Sequence, residues 1–190
     1  MVGGVAGAAA ALALAVLLSA AAPAQPAGNA APPSSAGPEA DPWAAVRFLV
    51  GEWVGEGSGQ PGQGTGGFSF HFDLDERILV RRDHSEYPRS HNRPAILHDA
   101  LMVVYPQPGS GALAAVYFDN EGHVIRYEAS AAHEGTVVLL SEAAGGGPRY
   151  RLTYTQLGVD RVRVTFEVAP PGGSAPFTTY LEGESRRVRP

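Results

Sequence analysis

Beyond residue 66 apolar and polar side chains alternate with a period of two. Phe68, Phe70 and Phe72 face away from Ser69 and His71, and Tyr150, Leu152 and Tyr154 oppose Arg149, Arg151, Thr153 and Thr155. Val162, Val164, Phe166 and Val168 likewise oppose Arg161, Arg163, Thr165 and Glu167. A strand sends successive side chains to opposite faces, so one face of each segment is core and the other meets water. The rhythm, broken by turn residues, predicts strands near 52–58, 66–73, 77–87, 97–105, 112–119, 123–131, 135–142, 148–157, 160–169 and 177–187. Asp119-Asn120-Glu121-Gly122 and Gly158-Val159-Asp160 are hairpin-type turns, while Gly145-Gly146-Gly147-Pro148 and Pro170-Pro171-Gly172-Gly173 are longer connections. Ten consecutive strands without a crossover helix predict an all-β, antiparallel up-and-down barrel, since closing the meander removes its exposed edges.

Ahead of the strands, Trp43 to Leu49 has the makings of one or two helical turns, with Asp41 as N-cap, Pro42 in the first position and Gly51 as terminator. Such a piece would close one barrel end. Residues 1–24 hold an apolar run from Val5 to Leu18 and an A-x-A site at Ala22-Pro23-Ala24, which predicts a signal peptide and a secreted or periplasmic protein. No Lys or Arg precedes that run, so a retained membrane anchor is the alternative, although a spanning helix needs about 20 apolar residues. Residues 25–41 are an Ala/Pro/Gly/Ser linker with too little apolar surface to offset its ordering entropy, leaving 42–190 as the barrel domain.

Composition narrows the chemistry. A chain of 190 residues, 44% hydrophobic and 17% charged, fits one core plus targeting sequence. A net charge of -5 argues against a nucleic-acid binder, and Arg186, Arg187 and Arg189 read as a solvated tail. Every basic side chain is Arg, and Cys is absent. That removes Schiff-base and P-loop lysines, thiolate nucleophiles, disulfides and cysteine-ligated zinc. Gly57 to Gly62 satisfies G-x-G-x-x-G, but Pro61 and the Phe68-Ser69-Phe70 alternation mark a β-loop-β connection where a dinucleotide site needs a helix. No G-x-S-x-G elbow exists.

Candidate chemistry sits where alternation becomes ambiguous. Residues 78–87 start apolar on both faces and end polar on both, so either register sends an Arg inward. One puts Arg82, His84 and Glu86 in the lumen; the other puts Arg81, Asp83 and Ser85 there. A buried Arg is paired or binds an anion. His123 shares a face with Ile125 and Tyr127, and His98 with Ala100 and Met102, which points both into the barrel, as ligand groups or as hydrogen-bonded core histidines. His71, His91 and His133 read as surface or loop residues. A metal site would have to be assembled from His84, His98 and His123 on separate strands.

Several motifs together suggest a relative. The Phe-x-x-Gly-x-Trp-x-Gly-x-Gly opening (Phe48 to Gly57), Arg77-x-Leu79-x-Arg81, the hairpin from Tyr117 to Val124 and Phe177-x-x-Tyr180-x-x-Gly183 resemble the DUF1579 group of lipocalin-like (calycin) barrels, near the nitrobindin-type barrels. The likeness runs from about Phe48 to Arg186. It implies a barrel of about ten strands with an internal cavity, in a group without a generally established activity. Nitrobindins bind haem through a histidine close to the C-terminus, whereas the last histidine here is His133. The resulting expectation is an exported, non-enzymatic barrel that binds a small lipophilic or amphiphilic molecule without a cofactor. Trp53, Tyr117 and the other rings would form the apolar wall, and Arg82, His84, His98 and His123 would fix a carboxylate or other polar head. Membrane contact would come only through an uncleaved signal segment, and homodimerisation stays open. The rivals are a haem or NO-handling barrel using His98 or His123, an enzyme with His84 or His123 as general base beside an inward Arg, and a filled barrel acting as an interaction module.

Overall fold

In a computed structural model, which describes residues 41–60, 64–89, 94–142, 146–172 and 175–189, the alternating segments close on themselves. The signal peptide, nearly all of the linker and His91 fall outside the described residues. The strands are β1 (Gly51–Gln60), β2 (Thr65–Asp73), β3 (Ile78–Tyr87), β4 (Ile96–Pro106) and β5 (Leu113–Asp119), then β6 (Val124–His133), β7 (Thr136–Ser141), β8 (Arg149–Gly158), β9 (Arg161–Ala169) and β10 (Thr178–Arg187). Each pairs antiparallel with its neighbours in sequence, and β10 pairs with β1 to close the barrel. Each predicted strand has its counterpart, with ends displaced by two residues at most.

Antiparallel register decides what shares a face, because directly opposite residues point the same way. Phe70 lies opposite Arg81, and Arg81 opposite Met102. The inward set at the closed end includes Phe70, Leu79, Met102, Val137, Tyr154 and Val162, all essentially without exposure. Phe68 and Phe70 meet Tyr154 edge-on, with centroids 5.9 and 5.6 Å apart. Such offset aromatic contacts add to the area they bury.

The closed end is sealed by the segment before β1. Asp41 Oδ1 accepts the Trp43 backbone N–H at 3.0 Å, as an N-cap should, but the regular part shrinks to a single 3-10 turn, Arg47–Leu49. Side-chain ties hold the segment in place. Trp43 Nε1 donates to Glu76 O at 3.1 Å, and Trp53 Nε1 to Leu49 O at 2.8 Å. A crevice of about 170 Å³ remains between this plug and the ends of β5, β6 and β7.

The solvated-tail reading of the C-terminal arginines needs correction. Arg187 is half-buried, lies 4.2 Å over the Trp53 ring, and donates to the carbonyls of Val50 and Phe48. It caps the 3-10 turn and covers the tryptophan at once, because it stands opposite Trp53 in the β1–β10 ladder. Arg186 and Arg189 are exposed, but paired with Glu56 and Asp160.

At Gly66 and Gly67 an added Cβ would collide with the His84 and Trp53 carbonyl oxygens. Glycine is required there because β2 coils tightly against both neighbours.

Candidate functional site

The register of β3 places Leu79, Arg81 and Asp83 inward, and it overturns the expectation for Arg82 and His84. Both project outward and are exposed, His84 with 54% of its side chain accessible. The reason lies in β2: Phe68, Phe70 and Phe72 fill the lumen, and their direct partners are Asp83, Arg81 and Leu79. Arg82 and His84 instead help line an open trough of about 900 Å³ on the outer wall, with Val54, Ser69, Leu101 and Phe118. His84 is engaged there by Asp99 (2.6 Å) and Glu86 (3.1 Å). The hydrogen bonds it makes to the Asp99 and Glu86 carboxylates raise its pKa above the ordinary 6.5.

Inside, Arg81 Nη2 donates to Asp83 Oδ1 at 2.6 Å, with side chains only 9% and 13% exposed. The Arg81 guanidinium also lies 5.3 Å over the Phe68 ring. Burial weighs against its charge, yet Asp83 and the phenols of Tyr154, Tyr117 and Tyr127 keep its pKa raised. Arg81 Nε and the Tyr154 hydroxyl are both sealed from water and have no hydrogen-bond partner. A buried polar group left unpaired costs about 1–3 kcal/mol, and Thr136 Oγ1 and Arg149 Nε are sealed without a partner as well. Alternation located an inward Arg in either register; what it could not supply was the pairing with β2 that selects Arg81. Nothing in the local pattern singled out Tyr154, which reads as one more core ring.

Toward the mouth, the inward side chains become partly accessible. Tyr117, Ile125, Tyr150, Val164 and Phe166 are half-buried, and Tyr150 stacks on Phe166 with centroids 5.8 Å apart. Tyr117 and His98 come together, with Tyr117 Oη 3.0 Å from His98 Nε2 and 3.3 Å from Asp119 Oδ2. Burial raises the Tyr117 pKa well above its ordinary value, and Asp119 adds to the shift, so it remains a protonated phenol. His98 Nδ1 meets Glu121 at 3.0 Å.

His123 has the expected parity but lies in the turn before β6, with 54% of its side chain exposed, so it marks the rim and is not a luminal group. Asp119 draws it there: its carboxylate accepts the backbone N–H groups of Glu121 and His123 and meets His123 Nδ1 at 2.8 Å. Burial opposes ionisation of Asp119, but these bonds win and hold its pKa below the ordinary 3.8. Trp53, expected in the ligand wall, is buried beneath Arg187 at the closed end, away from the accessible half. His71 and His133 are exposed.

These residues do not fit a haem ligand set. Both ring nitrogens of His98 are engaged, His123 is held at the rim, and no histidine occurs beyond His133. Among the described residues no cluster of three His, Asp or Glu side chains could hold a metal ion, and no helix is long and apolar enough to cross a membrane.

No known protein family and no curated protein matches this chain by sequence. Among solved structures, that of EF1p2_mFAP2b bound to DFHBI matches with a TM-score of 0.29 and 13% identity, over 76% of this chain and 97% of its own, a likeness too slight to build on.

Proposed function

We propose that this chain is an exported, non-enzymatic barrel of the DUF1579-like kind that takes a small lipophilic or amphiphilic molecule into the mouth-side half of its lumen. The observation that carries the reading is a gradient along one inner wall. Phe70, Leu79, Met102, Val137, Tyr154 and Val162 are sealed, yet Tyr117, Ile125, Tyr150, Val164 and Phe166 stay partly accessible around the buried Arg81–Asp83 pair. Small-ligand sites combine mainly apolar walls with a few fixed polar groups, and barrels near this strand number hold one such ligand.

The test is native mass spectrometry and thermal shift of the mature protein against fatty acids, isoprenoids and porphyrins. A retained ligand, or a rise in Tm that Phe166→Asp abolishes, supports the reading. No ligand and no shift across the panel would remove it. Export is tested by N-terminal sequencing of the secreted protein: a start at Gln25 supports cleavage after Ala24, and an intact Met1 in the membrane fraction opposes it.

A further inference from the structure

Two unpartnered donors buried inside the barrel say something about the head group, given that the lumen binds a ligand as proposed above. Arg81 Nε and the Tyr154 hydroxyl are sealed and without acceptors, and both belong to groups packed on one aromatic ring. The Arg81 guanidinium lies 5.3 Å from the Phe68 centroid, and the Tyr154 ring meets Phe68 edge-on at 5.9 Å. Two neighbouring acceptors already have partners. Asp83 takes Arg81 Nη2, and the Tyr117 hydroxyl lies between His98 and Asp119. Burial pushes the Tyr154 pKa up to about 12, so this phenol keeps its proton and stays a donor.

We propose that the head group received here is a neutral oxygen acceptor, the carbonyl of a ketone, ester or amide, held between Arg81 Nε–H and Tyr154 O–H, and not a carboxylate. Charge decides between them. Asp83, 2.6 Å from Arg81, already neutralises the guanidinium, and Asp119 adds a further negative charge on the mouth side. An entering carboxylate would therefore face a net negative lumen in a poorly screened setting. A carbonyl oxygen brings two lone pairs and no charge, which matches two donors. The apolar remainder of the ligand would run toward the mouth along the stacked Tyr150 and Phe166 rings.

The experiment compares methyl nonyl ketone, undecanoate and undecane as probes on the full mature chain, by calorimetry and by infrared spectroscopy of an isotope-labelled ketone carbonyl. The ketone is expected to bind at least about tenfold more tightly than undecanoate. Tyr154→Phe should weaken the ketone about fivefold and leave undecane unchanged, since it deletes one hydrogen bond. The carbonyl stretch should fall to lower frequency on binding, by less in Tyr154→Phe, which reports the bond even if the variant loses stability. Undecanoate binding as tightly as the ketone overturns the proposal. So does a carbonyl stretch matching that in hexane, which would mean that the sealed donors hold resident water only. If undecane binds and the ketone gains nothing, the head-group assignment fails while luminal binding stands; if none of the three binds, both fall.

Discussion

Leu74, Asp75 and Glu76, in the turn between β2 and β3, carry φ values of 50, 54 and 59°, and none of them is glycine. The left-handed region costs an L-residue about 1–2 kcal/mol, and at Leu74 no burial offsets it, since the side chain is 64% exposed. Leu74→Gly should therefore stabilise the protein by about 0.5–1 kcal/mol after the entropy cost of glycine, seen as a higher urea midpoint at unchanged slope; a lower midpoint would mean that the leucine is doing something unseen. Arg81 poses a different question at the same scale. Removing it alone leaves Asp83 buried and unpaired, so Arg81→Met should cost about 3–5 kcal/mol, whereas adding Asp83→Leu to it should recover most of the loss. A double variant as unstable as the single one would show that packing, and not the orphaned carboxylate, sets the cost. Neither residue's situation was legible locally. The left-handed turn has no glycine to announce it, and β3 is polar on both faces toward its end, so the choice between Arg81 and Arg82 waits on the strand beside it.

Strands were the most readable feature because each carries its own period-two signal and its own turn residues. The segment before β1 lies where the sequence places it and Asp41 accepts the Trp43 N–H, but regular structure is confined to Arg47–Leu49, whose N-cap is Val46 with no side-chain cap. Its shape is set by partners far away in sequence, Glu76 and Arg187, which a local helix pattern cannot contain. The same distance hid Arg187, which looks like one of three arginines in a tail until β10 is laid against β1. Arg187→Met removes two charge-assisted hydrogen bonds to backbone carbonyls and the cation over Trp53. Hydrogen bonds from a charged group are worth about 1.5–3 kcal/mol, so the variant should lose at least about 2 kcal/mol and shift the Trp53 emission. Arg186→Met, with an exposed guanidinium 3.4 Å from Glu56, should change stability by less than about 0.5 kcal/mol. Equal losses in the two variants would refute the capping role.

Across the whole molecule, two of the groups singled out as candidate ligands or found beside them tie stability to pH with opposite signs. Asp119 has a folded-state pKa below its ordinary 3.8, so the unfolded chain binds the proton more readily. Its contribution is complete above 3.8 and disappears as pH falls through the lowered value. His84 is raised above 6.5 by Asp99 and Glu86, so the folded protein holds the proton more tightly. That contribution is complete below 6.5 and fades as pH rises through the raised value. Asp119 sits in the mouth turn and His84 on the outer wall, and both border the same trough, but they share no hydrogen-bond partner, so their effects should add. Urea midpoints measured across pH should then show two separable limbs. Asp119→Asn should flatten the loss that sets in below pH 3.8 and leave the neutral limb intact, while His84→Gln should flatten the decline that begins near 6.5 and leave the acid limb intact. If His84→Gln left the neutral limb unchanged, its ion pairs on the outer wall would contribute nothing to folding.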